Sequence, residues 1–387
     1  MPNAVEREAP TIAMTAACGG PAPRRVLAVN PSGLCSGAEI ALLRVLRAAQ
    51  RAGWRVDVAT PDGPLAERVA REALPRTRLP ELRFSKLPKP LSLATAATRS
   101  LRAASVLRHA ASEADVVLVN GWHALPAVRL ARVPCAVVWF VHDVLRRRDQ
   151  QAVVKGCAPV VTVAVAPSRA GADPLRAVGM DVRIVPNGTP WPIEPAPAEP
   201  PDPPVIGVSG PLTGWKGQDV LLEAVARLRR RDPVVELMGG TFPGDRAYVR
   251  RLAQRAAEPD LAGRVRLLGH VDDPVERLRG WSVAVSASIE PETAPLNVLE
   301  AMSVGVPMVA TDHGGTPEVL GEAGLLVPPR DADALAVALD SLLGDTDLRQ
   351  RCARAGPKLI AAGLTLDAQG QAFVRVLEAV TQRAPVG

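Results

Sequence analysis

Cysteine and aromatic residues are scarce in this chain, whose 387 residues include five cysteines, one tyrosine and four phenylalanines. The cysteines are odd in number, lie far apart and form no CxxC pair, so the sequence indicates neither a disulfide framework nor a zinc site. This cysteine usage is typical of the reducing cytoplasm, where we expect the protein to be located. The shortage of aromatic residues argues against the stacking surfaces that single-stranded nucleic acids require, and we expect no nucleic-acid partner.

Long apolar runs are also absent. No run approaches the roughly 20 apolar residues that a membrane-spanning helix needs, and we expect a soluble protein. Residues 1–24 lack the basic start and the apolar stretch of a secretory signal, and we interpret them as a flexible tail. The 46 basic residues exceed the 40 acidic ones, giving a formal net charge of +6 that suits phosphate-bearing ligands or an anionic surface.

An alternating pattern of strands and helices occurs twice along the chain. Apolar strand candidates followed by turns and amphipathic helices begin at Val26 and begin again at Val205. Such alternation predicts α/β domains with parallel sheets, and the chain is long enough for two of them. The predicted organisation is an N-terminal Rossmann-like domain (25–190), a proline-rich linker (191–204), a second Rossmann-like domain (205–365) and a C-terminal helical segment (366–387). The sequence leaves open whether that last segment packs back onto the first domain.

Two glutamates eight positions apart mark the most informative segment of the chain. Pro295 lies between Glu292 and Glu300, and proline is favoured at the first position of a helix. We therefore predict a helix that begins near Pro295, with Glu292 just before it and Glu300 one to two turns inside. The free N–H groups at such an N-terminus favour an anion such as a diphosphate. These groups belong to Leu296, Asn297 and Val298.

Two enzyme classes are excluded at this point. On one helix the two glutamates would lie about 12 Å apart along the axis, whereas a retaining glycosidase needs its carboxyl groups roughly 5 to 5.5 Å apart. A nicotinamide dehydrogenase does not fit, because the loop from Gly33 to Gly37 is not GxGxxG and no acidic residue ends the second strand candidate. From these two glutamates alone, solvated charges on a helix surface remain the alternative.

The segment around the glutamates resembles the Glu-x7-Glu motif of the family 4 retaining glycosyltransferases. Further segments resemble the family's motifs, in the family's order. They are PSGLCSGAEIALLRVL for the first glycine loop and helix, FVHD for the histidine stretch, VPNG for the end of the first domain, GPLTGWKGQDVLLEA for the lysine loop and GGTPEVLGEAGLLVPPRD for the segment after the second glutamate. The resemblance implies the GT-B architecture, in which two Rossmann-like domains face each other across a cleft.

The resemblance also implies an activity. A retaining, metal-independent transferase would move a hexose-type sugar from a nucleotide-diphosphate donor, its co-substrate, to a hydroxyl acceptor without any cofactor. Nucleotide-sugar 2-epimerases and sugar phosphorylases share the architecture, but the former lack the two-glutamate arrangement and the latter need a pyridoxal phosphate lysine motif that is not evident here. A non-catalytic sugar-nucleotide binding protein is the remaining alternative.

Each site residue implied by the resemblance matches a position in these segments. Lys216 would hold the diphosphate, Glu292 the hydroxyls of the transferred sugar and Glu300 the ribose hydroxyls. His142 would lie beside the reacting sugar from the opposite domain. The predicted catalytic residues are therefore His142, Glu292 and Lys216. The predicted donor-binding residues are Gly37, Gly210, Lys216, Leu296, Asn297 and Glu300, the predicted acceptor-binding residues are Glu39, Asn120 and His123, and no metal ligand is predicted.

Two departures from the family pattern bear on the donor site. The family's usual Gly-Arg-Leu before the lysine is Gly210-Pro211-Leu212 here, so the arginine that normally shares the leaving diphosphate is absent. Lys216 and helix N–H groups, or another cation, would have to replace it. The common Phe-Gly after the first glutamate is Ala294-Pro295 here, which removes one backbone N–H. We therefore expect a sugar preference that differs from the family's usual one.

The acceptor is predicted to bind mainly to the N-terminal domain. The segment from Phe84 to Leu107 is basic, which leaves a lipid-linked or polysaccharide acceptor at the inner face of a membrane as an alternative, with peripheral membrane contact. Because basic residues on a helix are more often simply solvated, a soluble natural-product or polyhydroxylated acceptor is favoured. The sequence does not determine the donor's base and sugar, the acceptor or the oligomeric state.

Overall fold

A computed structural model describes residues 23–83, 89–229, 232–271 and 273–383. The predicted tail lies outside the described residues except for its last two positions, as does the start of the basic segment, residues 84–88. The described chain forms two fully parallel sheets of seven and six strands with helices on both faces. This architecture confirms the predicted α/β class with two Rossmann-like domains.

The strands of the first sheet are β1 (Arg25–Val29), β2 (Arg55–Thr60), β3 (Arg76–Arg78), β4 (Val116–Asn120), β5 (Ala136–Phe140), β6 (Val163–Ala166) and β7 (Val182–Ile184). The central strands, β1, β4, β5 and β6, are apolar along nearly their whole length, as expected for strands buried on both faces. The helices are α1 (Gly37–Arg51), α2 (Pro64–Arg71), α3 (Lys89–Ala110), α4 (Leu125–Ala131), α5 (Arg148–Cys157) and α6 (Arg169–Arg176). The strand order is β3-β2-β1-β4-β5-β6-β7.

The second sheet repeats this plan with order β10-β9-β8-β11-β12-β13. Its strands are β8 (Val205–Ser209), β9 (Val234–Met238), β10 (Val265–Gly269), β11 (Val283–Ser286), β12 (Met308–Thr311) and β13 (Gly324–Val327). The helices are α7 (Gln218–Ala226), α8 (Arg246–Ala256), α9 (Pro274–Leu278), α10 (Leu296–Ser303), α11 (Thr316–Leu320), α12 (Ala332–Gly344), α13 (Thr346–Gly363) and α14 (Leu366–Arg383). None of the helices in the described ranges is long and apolar enough to cross a membrane.

Each sheet has one point at which the strand order reverses. In the first sheet the reversal lies between β1 and β4, and in the second it lies between β8 and β11. Loops that leave the carboxyl ends of such strands diverge to opposite sides and open a crevice, where ligands of α/β proteins bind. The loops and helix starts that follow these four strands carry most of the predicted site residues.

The chain passes between the two domains at two adjacent points. The N–H of Thr189 donates to the carbonyl of Leu364, and the N–H of Leu366 donates back to the carbonyl of Thr189, both at 3.0 Å. Gly188 is required at this crossing because a Cβ there would lie 2.3 Å from the carbonyl oxygen of Thr365. The linker then follows the second domain, where Trp191 and neighbouring residues pack against its core.

Helix α14 packs against α1, β4 and β5 of the first domain. Phe373 is fully buried there, with its ring centroid 5.1 Å from that of Phe140 on β5. Gly370 allows the close approach, because a Cβ at this position would lie 2.6 Å from the Cβ of Ala48 on α1. The last helix of the chain therefore completes the core of the first domain.

Replacing Phe373 by alanine should lower the free energy of unfolding of the first domain by about 3–5 kcal/mol, because a fully buried aromatic ring is lost. Urea unfolding followed by circular dichroism measures the change. Arg375→Ala on the exposed face of the same helix is the matched control and should change stability by less than about 0.5 kcal/mol. Equal stabilities of the two variants would contradict the importance of this packing.

Candidate active site

Three polar side chains meet at the carboxyl ends of β1, β4 and β5 in the first domain. Asn30 and Asn120 are 0% and 2% exposed, and His142 follows β5 at the edge of the cleft. The Nε2 atom of His142 lies 2.6 Å from Oδ1 of Asn120, whose Nδ2 lies 2.6 Å from Oδ1 of Asn30. Burial lowers the pKa of His142 to about 3, because the charged imidazolium would lose its hydration.

The start of α1 carries two predicted site residues. Glu39 is buried, and one of its carboxylate oxygens accepts hydrogen bonds from the N–H of Ser36 at 3.0 Å and from the Ser36 hydroxyl at 2.7 Å. Glu39 therefore caps its own helix. A Cβ on Gly37 would lie 3.9 Å from the Cδ1 of Leu296, so the two predicted donor-binding residues face each other across the cleft.

His123 and Asp143 also line this wall. His123 lies in the turn after β4 and stacks on Trp122 with ring centroids 3.8 Å apart. Burial is the main cause that lowers the pKa of His123 to about 4, and the positive charge of Arg83 adds to it. Asp143 is open to the cleft but surrounded by protein, which raises the pKa of its carboxyl by desolvation. Sequence reasoning did not single out Asp143, although it lies in the FVHD segment.

Lys216 is held by a short turn between β8 and α7. Gly217 adopts a φ of +68°, and a Cβ there would lie 2.0 Å from the carbonyl oxygen of Ala287 just after β11. The turn therefore lies directly against the neighbouring strand of the order reversal. Gly210, at the end of β8, has a φ of +143°, a backbone conformation that favours glycine. These constraints direct the Lys216 side chain, which is only 9% exposed, to Glu292.

Glu292 is the residue around which the second domain's part of the site is built. Its Oε2 lies 2.6 Å from Nζ of Lys216, and its Oε1 accepts a hydrogen bond from the Ser288 hydroxyl. The N–H of Gly315 donates to the carbonyl of Glu292 at 2.8 Å. A Cβ on Gly314 would lie 2.3 Å from that same carbonyl oxygen. The glycine pair thus lets the loop after β12 support the Glu292 backbone.

The helix after Glu292 begins one residue later than expected. Pro295 has a ψ of 125°, which is extended, so it caps the helix and Leu296 is the first helical residue. The N–H of Val298 donates to the carbonyl of Pro295 at 3.2 Å, which removes it from the predicted anion-binding set. No hydrogen bond from the N–H of Leu296 or Asn297 is present in the part of the chain that the structure describes. Among the predicted anion-binding N–H groups, these two therefore have no protein partner within the described ranges.

Glu300 lies in the second turn of α10 and pairs with Arg44 of α1, across the domain boundary. An Nη of Arg44 lies 3.4 Å from Oε1 of Glu300, and the two side chains are 12% and 13% exposed. Burial raises the pKa of Glu300 and lowers that of Arg44, against the attraction between the two charges. Arg44 belongs to the PSGLCSGAEIALLRVL segment, but its place on the polar face of the helix gave no signal of a partner.

Two further contacts join the cleft walls beside Glu292. The Thr293 hydroxyl donates to the carbonyl of His142 at 3.0 Å, and Asp143 forms an isolated antiparallel bridge with Glu292. The structure therefore brings His142, Glu292 and Lys216 together. Next to them lies an open cavity of about 640 Å³, lined from both domains by residues that include Arg146, His313 and Arg330. No group of three His, Cys, Asp or Glu residues suited to a metal ion occurs among the described residues.

Two family models divide the chain between them. The model for Glycosyltransferase Family 4 matches residues 35–190, and the model for Glycosyl transferases group 1 matches residues 191–359. The chain belongs to the group 1 glycosyltransferases of family 4. The boundary between the two matches coincides with the start of the predicted linker.

Relatives of this glycosyltransferase include two curated proteins. A phosphatidyl-myo-inositol mannosyltransferase of Mycolicibacterium smegmatis is 38% identical over 138 residues, 35% of this chain and 34% of that protein. A D-inositol 3-phosphate glycosyltransferase of Corynebacterium jeikeium is 36% identical over 183 residues, 45% of this chain and 43% of that protein. The matches thus span less than half of these relatives' own length.

Solved structures support the fold of this glycosyltransferase over nearly its whole length. The crystal structure of HepE from Anabaena in complex with UDP-glucose has a TM-score of 0.78 at 21% identity, covering 92% of this chain and 99% of that one. At this identity the likeness concerns the fold, and it confirms the predicted GT-B architecture.

The Arg44–Glu300 pair should contribute measurable coupling between the domains. Removing one partner of a buried ion pair leaves an unpaired buried charge and typically costs about 3–5 kcal/mol. We therefore expect Arg44→Met and Glu300→Gln each to destabilise the protein, and the double variant to lose clearly less than the sum. Chemical denaturation of the four proteins gives the coupling energy.

The exposed pair Arg227–Asp333, 3.1 Å apart with side chains 45% and 84% exposed, is the matched control for this cycle. Its coupling should be close to zero because solvent screens the two charges. Additive effects of the Arg44 and Glu300 substitutions would show that the buried pair does not couple the domains.

Proposed function

We propose that this chain is a retaining, metal-independent glycosyltransferase that moves a hexose-type sugar from a nucleotide-diphosphate donor to a hydroxyl acceptor. The observation that carries the proposal is the Lys216–Glu292 contact of 2.6 Å, at the strand-order reversal of the second domain and beside His142 of the first. Lys216 is a cation that can bind phosphate, and Glu292 is a carboxylate that can bind sugar hydroxyls. The two are in direct contact in the crevice where an α/β domain binds its ligand.

Lys216 stabilises the leaving diphosphate in this proposal. Its ammonium group has three donors, so it can keep its contact with Glu292 while it binds phosphate oxygens. The N–H groups of Leu296 and Asn297 add two oriented donors at the start of α10. Donors fixed before the reaction stabilise the developing charge without reorganisation during the chemical step. Lys216 and these two N–H groups take the role of the arginine that the family usually has at the position of Pro211.

Glu300 binds the ribose of the nucleotide. Its carboxylate has about four acceptor positions, so it can accept ribose hydroxyls while it keeps one contact with Arg44. Such sharing ties donor binding to the contact between the domains, because Arg44 belongs to α1 of the first domain. Closure of the cleft around the donor would exclude water, which would otherwise hydrolyse it.

Transfer with retention needs a base on the face of the sugar ring from which the diphosphate departs. The departing diphosphate supplies it by accepting the proton of the attacking hydroxyl while the bond from the sugar to the new oxygen forms. This route requires neither a metal ion nor an additional carboxylate base, and it follows from the family resemblance. Glu292 and His142 would orient the sugar from opposite walls of the cleft.

A polyhydroxylated acceptor is supported by the names of the two relatives, both of which refer to inositol compounds. One relative's name is that of an enzyme acting on a phosphatidylinositol, so a lipid-linked acceptor at a membrane surface is the second candidate. We place the soluble acceptor first. In either case the protein would act in the cytoplasm or at the inner face of its membrane.

Purified protein should transfer a sugar from UDP-glucose or GDP-mannose to myo-inositol or to phosphatidylinositol vesicles. We expect NMR of the product to show the donor's anomeric configuration, and we expect chelator to leave the rate unchanged. The two acceptors separate the soluble from the membrane candidate. An inverted product would contradict the mechanism. Binding of nucleotide without turnover across a wide donor and acceptor panel would favour the non-catalytic alternative.

Lys216→Ala should lower turnover by about a hundred- to a thousandfold, because one preorganised stabiliser of the developing charge is lost. Initial rates at saturating donor measure the effect. Lys155→Ala, at an exposed position of α5, is the matched control and should leave the rate unchanged. If Lys216→Ala keeps more than about a tenth of the wild-type rate at an unchanged thermal midpoint, another cation stabilises the diphosphate.

A further inference from the structure

The hydrogen bonds beneath His142 continue inward for two more residues. Nε2 of His142 lies 2.6 Å from Asn120, Asn120 lies 2.6 Å from Asn30, and Nδ2 of Asn30 lies 2.6 Å from the carbonyl oxygen of Ser32. Both asparagines are almost completely buried, so water cannot replace a lost partner at either position without cost. This row of side chains spans β1, β4 and the loop after β5.

The Ser32 carbonyl at the inner end determines which group donates and which accepts in every hydrogen bond of this row. A carbonyl oxygen can only accept, so the atom of Asn30 that faces Ser32 must be its NH2 group. The Oδ1 atom of Asn30 then faces Asn120 and accepts from the NH2 group of that residue. Asn120 in turn presents its oxygen to the ring of His142. At 2.6 Å that oxygen requires a donor, and Nε2 must carry the proton.

A neutral imidazole with its proton on Nε2 has a free electron pair on Nδ1. Nδ1 has no hydrogen-bond partner among the residues that the structure describes, and it is not sealed from solvent. The ring is further fixed by Phe140, whose centroid lies 4.3 Å away. The burial that keeps His142 uncharged acts in the same direction as the hydrogen-bond row.

We propose that Asn30 and Asn120 are positioning residues that hold the proton of His142 on Nε2, so that Nδ1 accepts a hydrogen bond from a sugar hydroxyl in the cleft. The second half rests on the proposed function, whereas the first concerns the free protein alone. In this arrangement His142 does not donate a proton to the substrate. It selects a ligand group that can donate, namely a hydroxyl.

The full-length protein labelled with ¹⁵N-histidine tests the first half without any substrate. Only five histidines are present, and the loss of one signal set in His142→Gln identifies the residue. Ring-nitrogen chemical shifts should report a neutral ring protonated on Nε2 between about pH 6 and 8, near the ordinary histidine pKa. A ring protonated on Nδ1, or a charged ring, in the wild-type protein would overturn the proposal.

Asn30→Ala tests whether this row of hydrogen bonds determines which ring nitrogen of His142 carries the proton. Without its acceptor, the Asn120 amide can turn its NH2 group toward the ring, and a substantial fraction of His142 should then carry its proton on Nδ1. Thr60→Val is the matched control, because the Thr60 hydroxyl donates to the same Ser32 carbonyl at 3.2 Å without belonging to the row. An unchanged His142 tautomer in folded Asn30→Ala would contradict the role of Asn30. If that variant does not fold, the tautomer measured in the wild-type protein still tests the proposal.

The source of the hydroxyl is tested by adding UDP-glucose, UDP or myo-inositol separately to the labelled protein. A shift of the Nδ1 resonance with UDP-glucose but not with UDP assigns the hydroxyl to the donor sugar, and a shift with inositol assigns it to the acceptor. Asn30→Ala should then lower kcat/KM by about tenfold with UDP affinity unchanged. No shift with any probe would contradict the second half, and if transfer is also absent the proposed function fails while the tautomer result stands.

Discussion

The backbone at Glu292 and Thr293 is the point on which the rest of the site depends. From below, Gly315 donates to the Glu292 carbonyl, and the glycine pair that includes it leaves no room for side chains. Two contacts join this segment to the opposite domain. Asp143 of the first domain bridges to Glu292, and the Thr293 hydroxyl donates to the carbonyl of His142. A single short segment thus fixes the carboxylate that contacts Lys216 and the distance between the cleft walls. A shift of this backbone would move the groups of both domains at once.

Charge pairing explains why the cleft can hold its functional groups before any ligand binds. An isolated buried charge is costly, and both glutamates of the motif avoid that cost by pairing with a cation. Glu292 pairs within its own domain, with Lys216, whereas Glu300 pairs across the boundary, with Arg44. Hydroxyls and phosphate oxygens supply the same kind of partner, so a sugar nucleotide could bind by sharing these contacts rather than by uncovering bare charges.

The covalent connections between the domains lie together on one side of the molecule. Thr189 and the stretch from Leu364 to Leu366 bond to each other where the chain crosses, and α14 continues from there onto the first domain. Because both crossings are adjacent, rotation about them would change the cleft while leaving both cores intact. The buried pair of Arg44 and Glu300 lies beside this crossing, because the Arg44 guanidinium also donates to the carbonyl of Gly188 at 2.9 Å.

The sequence by itself determined the alternation of strands and helices, the proline-rich boundary near residue 190 and the order of the motifs, because these depend on local periodicity and on residues such as proline with few conformations. It also indicated Lys216, Glu292 and His142 through their motifs. Only the tertiary structure decided what these residues contact. Arg44 looks like a solvated helix charge until the second domain brings Glu300 against it. Asn30 and Asn120 look like separate strand ends until the pairing of β1 with β4 in the first sheet brings them into contact. Such partners are distant in the chain and share no period, so strand pairing within the first domain and packing between the two domains have to bring them together.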